Sequence, residues 1–256
     1  MKAELIDHMG DDLMVVNAAR VSFDKQSEWE TYYSERDKEI YPGCGDPDPD
    51  PPSGLLSPRV WAREPGPTLR YKLSEKDTKL IRYLASHGHW TPFAHPQITI
   101  RETVPIFVAR QRFKHMVGFI YNEVSRRYVD DEPEFFVPKA WRRRPNKSIK
   151  QGSGEPFGIE GQKVCNEKIL HHHQACMTCY YDLLDEGVAP EQARMVLPQS
   201  MYTSYYVTGS LAAWARAYNL RKDRTKAQGE IADLAEQWDK IILPLFPISW
   251  KALTGE

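Results

Sequence analysis

The stretch "RQRFKHMVGFIYNEVSRRY", Arg110 to Tyr128, sets the frame for the rest of the chain. Cationic and amide side chains come first, then an apolar connector bearing Gly118, then Glu123, Ser125, Arg126 and Arg127. A solvated charged face scatters both signs, whereas here one acid stands among bases with a hydroxyl beside paired guanidiniums. Arginine forks grip phosphate oxygens in pairs and a hydroxyl adds a neutral donor, so the cluster suits a phosphate. The competing reading is a surface helix end carrying ordinary ion pairs. On the N-terminal side, Gln97 to Val104 alternates, with Ile98, Ile100, Glu102 and Val104 in phase, which predicts a strand. Pro105 then suits the first position of a helix whose apolar stripe is Ile106, Phe107, Ala109 and Phe113. That stripe puts Arg110, Gln111 and Lys114 on the neighbouring face, and Gly118 breaks the helix before the anion cluster.

Farther out, the pattern alternates between helical and extended signals. "LMVVNAARVSF" (13–23) opens with an apolar run suited to a buried strand. From about 26 to 66 periodicity fails and "GDPDPDPPSG" (45–54) fixes φ and removes ladder donors, so an exposed loop insertion is expected. Ser74 and Asp77 form a capping-box-like start, Leu80, Ile81 and Leu84 follow at helical spacing, and Gly88 can end that helix. "FFVP" (135–138) reads as a short strand, and 141–160 as a second loop insertion carrying the basic run "WRRRPNK". A helix is predicted from 159 to 186, ending at Gly187, and a short one starts at Pro190 and bears Arg194. Residues 199–221 read as helical, and Thr225 to Ile242 as another helix with Ile231, Leu234, Trp238 and Ile242 on one stripe. Few strands among many helices make the fold class α+β: one domain over 1–256, with a small sheet packed by several helices.

Composition narrows the function. A chain of 256 residues with 41% hydrophobic and 27% charged residues has the profile of an ordinary globular protein. The net charge of −1 argues against a protein that wraps nucleic acid, so anion affinity must be local. No apolar run reaches membrane-spanning length and "MKAELIDHMG" lacks a signal peptide's apolar core, so a cytoplasmic protein without a membrane partner is expected. Four scattered cysteines make no disulfide framework. His172, Cys176 and Cys179 would share a helix face, but no second ligand pair follows at finger spacing, so no metal is expected. Glycine-rich dinucleotide turns, G-x-S-x-G and P-loops are all missing.

Several motifs in order carry a resemblance: "AARVS" (18–22), "HGHWTPFAH" (87–95), "PIFVARQ" (105–111), "NEVSRRY" (122–128), "ARMVLP" (193–198) and "NLR" (219–221). The chain resembles flavin-dependent thymidylate synthases over most of its length, outside the two loop insertions. It departs where that family reads Arg-His-Arg, seven residues, then Ser: here Lys114-His115-Met116 and eight residues precede Ser125.

The resemblance implies an enzyme making dTMP from dUMP with FAD, NADPH and methylenetetrahydrofolate, in a homotetramer whose active sites draw on several chains. It implies Arg221 and Glu123 as catalytic residues. Gln111, Arg112, Lys114, Ser125, Arg126, Arg127, Arg194 and Arg221 would bind the pyrimidine deoxynucleotide. Ser22, His89, Thr91, Lys114, His115, Glu123, Ser210 and Arg216 would hold the flavin. The resemblance also implies that no enzyme cysteine activates the pyrimidine, which agrees with cysteines lying outside every matched motif, so that a guanidinium would stabilise the charge developing on the ring. Two alternatives stand beside this: a flavin-linked hydroxymethylase of dUMP or dCMP on the same scaffold, and a non-catalytic nucleotide or nucleic-acid binder.

Overall fold

The computed structural model describes residues 1–40, 69–128, 131–145 and 152–255. In chain order its strands are β1 (Lys2–Met9), β2 (Glu30–Tyr33), β3 (Leu69–Lys72), β4 (Gln97–Pro105), β5 (Phe119–Glu123) and β6 (Tyr202–Ser210). Its helices are α1 (Asp12–Arg20), α2 (Glu35–Ile40), α3 (Glu75–Ser86), α4 (Ile106–Arg112), α5 (Ile159–Asp185), α6 (Pro190–Ala193), α7 (Leu211–Arg221), α8 (Gly229–Ile242) and α9 (Pro247–Thr254). The chain separates into two units, Met1–Met9 with Pro96–Leu245, and Gly10–His95 with Phe246–Glu256. Antiparallel strands and helices occupy separate stretches, so the class is α+β, as the sequence predicts.

The first unit is built on an antiparallel sheet in the order β1-β4-β6-β5. Its inward residues Ile98, Ile100, Val104 and Val207 are fully buried with Leu211, Trp214, Ile231, Leu234, Trp238 and Ile242 of α7 and α8. Each such side chain removed from water contributes about 1.5–3 kcal/mol, which is what holds the helices on the sheet. The α8 stripe expected from the sequence is the buried one. Gly209 of β6 faces Phe119 of β5, and a Cβ there would lie 2.4 Å from the Phe119 ring.

Residues 199–221 are not one helix. Tyr202–Ser210 is strand because Thr203, Tyr205 and Val207 alternate inward on aromatic and β-branched side chains that suit a half-buried sheet. Ser210 then caps α7, its hydroxyl accepting from the Ala213 amide at 3.3 Å. Pro105 is likewise not the first helical residue; it closes β4 in extended backbone (ψ 151°) and precedes α4. The first α4 amides are satisfied across the sheet instead, Ile106 donating to the Met201 carbonyl (2.9 Å) and Phe107 to that of Gln199 (3.1 Å). The helix stops at Arg112, before Gly118, and turns carry the chain to β5. Gly118 sits at φ +80°, and a Cβ there would be 2.9 Å from that of Ala213, so both backbone and space demand glycine.

The 135–138 stretch is not a strand but a single bridge, Phe135 to Met201. The described parts of 141–160 are tied down rather than free. Arg142 bridges to Pro156, Trp141 Nε1 donates to Asn166 at 2.7 Å, and Arg142 makes two bonds to the Glu230 carboxylate at 2.6 and 2.8 Å.

In the second unit, residues 12–20 are helix where a strand is expected. Asp11 caps it, accepting from the Met14 amide at 2.9 Å, and Val15 and Val16 are buried. Asp12 is buried too, and its carboxylate accepts the amides of Ile248 and Ser249 at 2.9 Å each, closing the first turn of α9. Glu30–Tyr33 pairs with Leu69–Lys72, and α2 follows, so part of the 26–66 region is regular; its residues 41–66 lie outside those described. The α3 cap is as expected, Ser74 accepting from the Asp77 amide at 3.0 Å.

Candidate functional site

One cleft of about 770 Å³ opens in the first unit, lined by residues of β4, β5, β6, the turn after β5 and the α6 region. It is within the size range of small-ligand sites. Glu123, Arg126 and Arg194, predicted from separate motifs, all line it, together with Arg101. Glu123 ends β5 and accepts the Thr203 hydroxyl at 2.6 Å. Arg126 donates to the Asp131 carbonyl, Arg194 to the Glu191 carbonyl at 3.3 Å, and Arg101 to the Ser204 hydroxyl at 3.0 Å. None of the three has a carboxylate partner among the described residues, although acids such as Glu132, Glu134 and Glu191 also line the cleft. Guanidiniums steadied by neutral acceptors keep their charge for an incoming anion. Beside the cleft residue Arg126, Arg127 is exposed and donates to the Ser125 hydroxyl at 3.1 Å.

A second cluster in the same unit surrounds His115 and shares no residue with the cleft lining. Arg221, the last residue of α7, donates its Nε–H to His115 Nε2 at 3.1 Å. Arg216 donates to the Val117 carbonyl. Burial, reinforced by the guanidiniums of Arg112, Arg221 and Arg216, pushes the His115 imidazole down to about 4, so it is neutral at physiological pH. Lys114 and Met116 are exposed on either side of it, and Ser210 is occupied in capping α7. Gln111 donates to the Gln228 side chain.

Arg112, expected at the nucleotide, is instead a core residue with no exposed surface. Its Nε donates to Glu102 at 3.2 Å and its Nη1 to the Tyr121 hydroxyl at 2.6 Å. Phe119, Trp214, Trp238 and Tyr121 ring its guanidinium at 4.3 to 5.3 Å. Position 112 lies on the α4 face turned to the sheet, so a long cation there meets the buried Glu102 rather than a ligand.

In the second unit Ser22, His89 and Thr91 are exposed, Ser22 and Thr91 within single 3-10 turns. The His89 ring meets Tyr83 edge-on at 6.1 Å. No group of three or more His, Cys, Asp or Glu side chains among the described residues could hold a metal ion. The pattern missed Arg101, Thr203 and Tyr121; Arg101 was within reach, because it occupies the outward phase of the alternation that turns Ile100 and Glu102 inward.

The cleft thus gathers three guanidiniums without a carboxylate partner, a chemistry that suits anionic ligands, and it stands apart from the second basic cluster. The family described as thymidylate synthase complementing protein matches residues 4–248. A flavin-dependent thymidylate synthase of Kosmotoga olearia is 34% identical over 252 residues, 97% of this chain and 87% of that one. One from Thermosipho africanus is 33% identical over 235 residues, 90% of this chain and 81% of that one. Among solved structures, a UMP/dUMP methylase, PolB, from Streptomyces cacaoi bound with 5-Br UMP superposes with a TM-score of 0.74 at 26% identity, covering 99% of this chain and 93% of that one. The chain belongs to the flavin-dependent thymidylate synthase family. No helix among the described residues is long and apolar enough to cross a membrane.

Proposed function

We propose that this chain, acting as one catalytic domain, transfers the methylene of methylenetetrahydrofolate to C5 of dUMP and yields dTMP. The observation that carries this reading is the convergence of Glu123, Arg126 and Arg194 in one cleft of a chain from this family. Arg126 and Arg127, with the Ser125 hydroxyl beside Arg127, suit the nucleotide phosphate, and Arg194 suits a pyrimidine carbonyl. Arg221 stabilises negative charge as it develops on the uracil ring, which makes C5 nucleophilic without an enzyme thiol. The methylene bonds to C5, its bonds to the folate nitrogens break to release tetrahydrofolate, and the C5 proton leaves.

The donors present fit a flavin dinucleotide. In the first unit Lys114 and Arg216 are exposed cations that suit a diphosphate; in the second, Ser22, His89 and Thr91 are exposed hydroxyl and imidazole groups that can hydrogen-bond to a ligand. Met116, 72% exposed where the family has arginine, supplies no charge, so the affinity is expected to be reduced. When bound, FAD, recharged by NADPH, supplies the hydride that turns the transferred methylene into methyl. Arg221 does not line the cleft holding Arg126 and Arg194, and a homotetramer whose sites draw on several chains accommodates both.

Mass spectrometry of products from dUMP with methylenetetrahydrofolate, FAD and NADPH tests the reading; the expected product is heavier by one methyl. A product carrying one further oxygen, or turnover of dCMP alone, would move the assignment to a hydroxymethylase. A second reading, methylation of UMP, is favoured by the solved methylase, whose structures hold 5-Br UMP and 5-Br dUMP. A parallel incubation with UMP decides between the two nucleotides.

A further inference from the structure

We infer that His115 is a positioning residue, a neutral hydrogen-bond acceptor that aims Arg221, and that a buried relay from Glu102 through Arg112 and Tyr121 holds His115 in place. The inference rests on the proposed role of Arg221 at the pyrimidine ring. It differs from the flavin contact that the family resemblance implies for His115.

A guanidinium can only donate, so the 3.1 Å bond from Arg221 Nε requires a lone pair on His115 Nε2. That excludes imidazolium and puts the ring proton on Nδ1. The groups facing the ring agree: Arg112 of α4, and Arg216 and Arg221 of α7, are all cations that oppose its protonation. Arginine has a long side chain with many rotamers, and holding it through Nε removes that freedom while leaving the terminal nitrogens out of the bond.

His115 itself lies in the turns between α4 and β5, where no regular element fixes it. Tyr121 does so from below. Its hydroxyl accepts from Arg112 Nη1 at 2.6 Å and has one proton to give; the His115 carbonyl at 2.7 Å takes it in preference to the Arg112 carbonyl at 3.3 Å. Arg112 is held in turn by Glu102, which also accepts the Tyr205 hydroxyl at 2.6 Å. Two residues on, the Val117 carbonyl is held by Arg216. The His115–Met116 and Val117–Gly118 peptides are therefore anchored, one by a half-buried hydroxyl and one by a surface cation. An arrangement this complete around one imidazole is what accurate aiming of a charged group needs.

Three variants test it: His115→Leu, His115→Gln, whose amide oxygen can still accept from Arg221, and Tyr121→Phe. His115→Leu is expected to lower kcat by about 10- to 100-fold, as a misplaced catalytic group does, while FAD affinity by absorbance titration stays within about twofold. His115→Gln should recover most of the lost kcat, and Tyr121→Phe should lose about fivefold, the equivalent of one hydrogen bond. Independently of turnover, 15N NMR should show His115 Nε2 unprotonated at neutral pH, and Arg221→Ala should raise its titration midpoint. A parallel loss of FAD affinity without rescue by His115→Gln would make His115 a flavin ligand and overturn the inference. So would a His115 midpoint near that of free histidine and unmoved by Arg221→Ala. A wild-type protein that makes no methylated product yet shows the expected NMR signature would remove the proposed function and leave the Arg221–His115 pairing standing.

Discussion

Glu102→Gln should destabilise the protein strongly although it changes neither shape nor size. Glu102 and Arg112 have no exposed side-chain surface and meet at 3.2 Å, so the carboxylate is the buried countercharge for the guanidinium. Glutamine keeps one acceptor oxygen, which can serve Arg112 Nε, but turns a donor NH2 towards the Tyr205 hydroxyl and removes the charge. Breaking one partner of a buried pair costs about 3–5 kcal/mol. The rings of Phe119, Trp214 and Trp238 at 4.3 to 4.8 Å offset part of this, about 1 kcal/mol, because their faces attract the stranded cation. A net loss of about 2–4 kcal/mol remains, against a total stability of about 5–15 kcal/mol. For a chain of this length it corresponds to a fall in Tm of roughly 4–16 °C. Circular dichroism melts at neutral pH measure it, with the double variant Glu102→Leu, Arg112→Met as control. Replacing the whole pair with apolar side chains should recover much of the loss, since no buried charge is then left alone. A fall below about 2 °C for Glu102→Gln, or a double variant weaker than the sum of the single ones, would refute the assignment of the pair as a coupled charge in the core.

Arg127→Ala and Arg194→Ala should chiefly raise KM for the nucleotide, because they remove binding shared by ground and transition states, whereas Arg221→Ala should lower kcat as well; identical steady-state profiles would dismiss the division of roles. Gly209→Ala should cost about 1–3 kcal/mol by urea titration, because the new methyl would meet the Phe119 ring at 2.4 Å inside a packed sheet. The His115 pKa is depressed in the native state, so the unfolded chain binds its proton first and stability must fall as pH drops from about 6.5 towards about 4. Melts at pH 7.5 and 4.5 should therefore differ less for His115→Gln than for wild type, and an equal difference would count against the depressed pKa.

Much of the cleft was legible because its residues come in short motifs: Glu123 and Arg126 share one, and Arg194 sits three residues before Leu197 in another. Arg112 was misread because its fate depends on a partner ten residues back on another element. Glu102 did give a sign, since it keeps the inward phase of Ile98, Ile100 and Val104, and a buried carboxylate demands a cation. The error over 13–16 is a general one. "LMVV" fits a buried strand as well as a helix, and the deciding group is the Asp11 cap just outside it. Residues 199–221 read as helical, whereas Gly209 marks a strand pressed against an aromatic ring. The division between the cleft and the His115 cluster could not be read at all, because it arises from sheet order rather than from spacing along the chain.

That sheet order also governs when the protein can fold. The central pairing, β4 with β6, brings Thr99 beside Thr208, 109 residues farther along, and nothing nearer in sequence substitutes for it. Closing so long a loop is costly before any packing repays it, which slows folding relative to helical chains of local contacts. On the ribosome, β4 emerges with its alternating Ile98, Ile100 and Val104 and waits while more than 90 further residues are synthesised, since even the nearest register pair joins Pro105 to Tyr202. During that interval only β1 can cover one of its edges, leaving the other open to a neighbouring nascent chain.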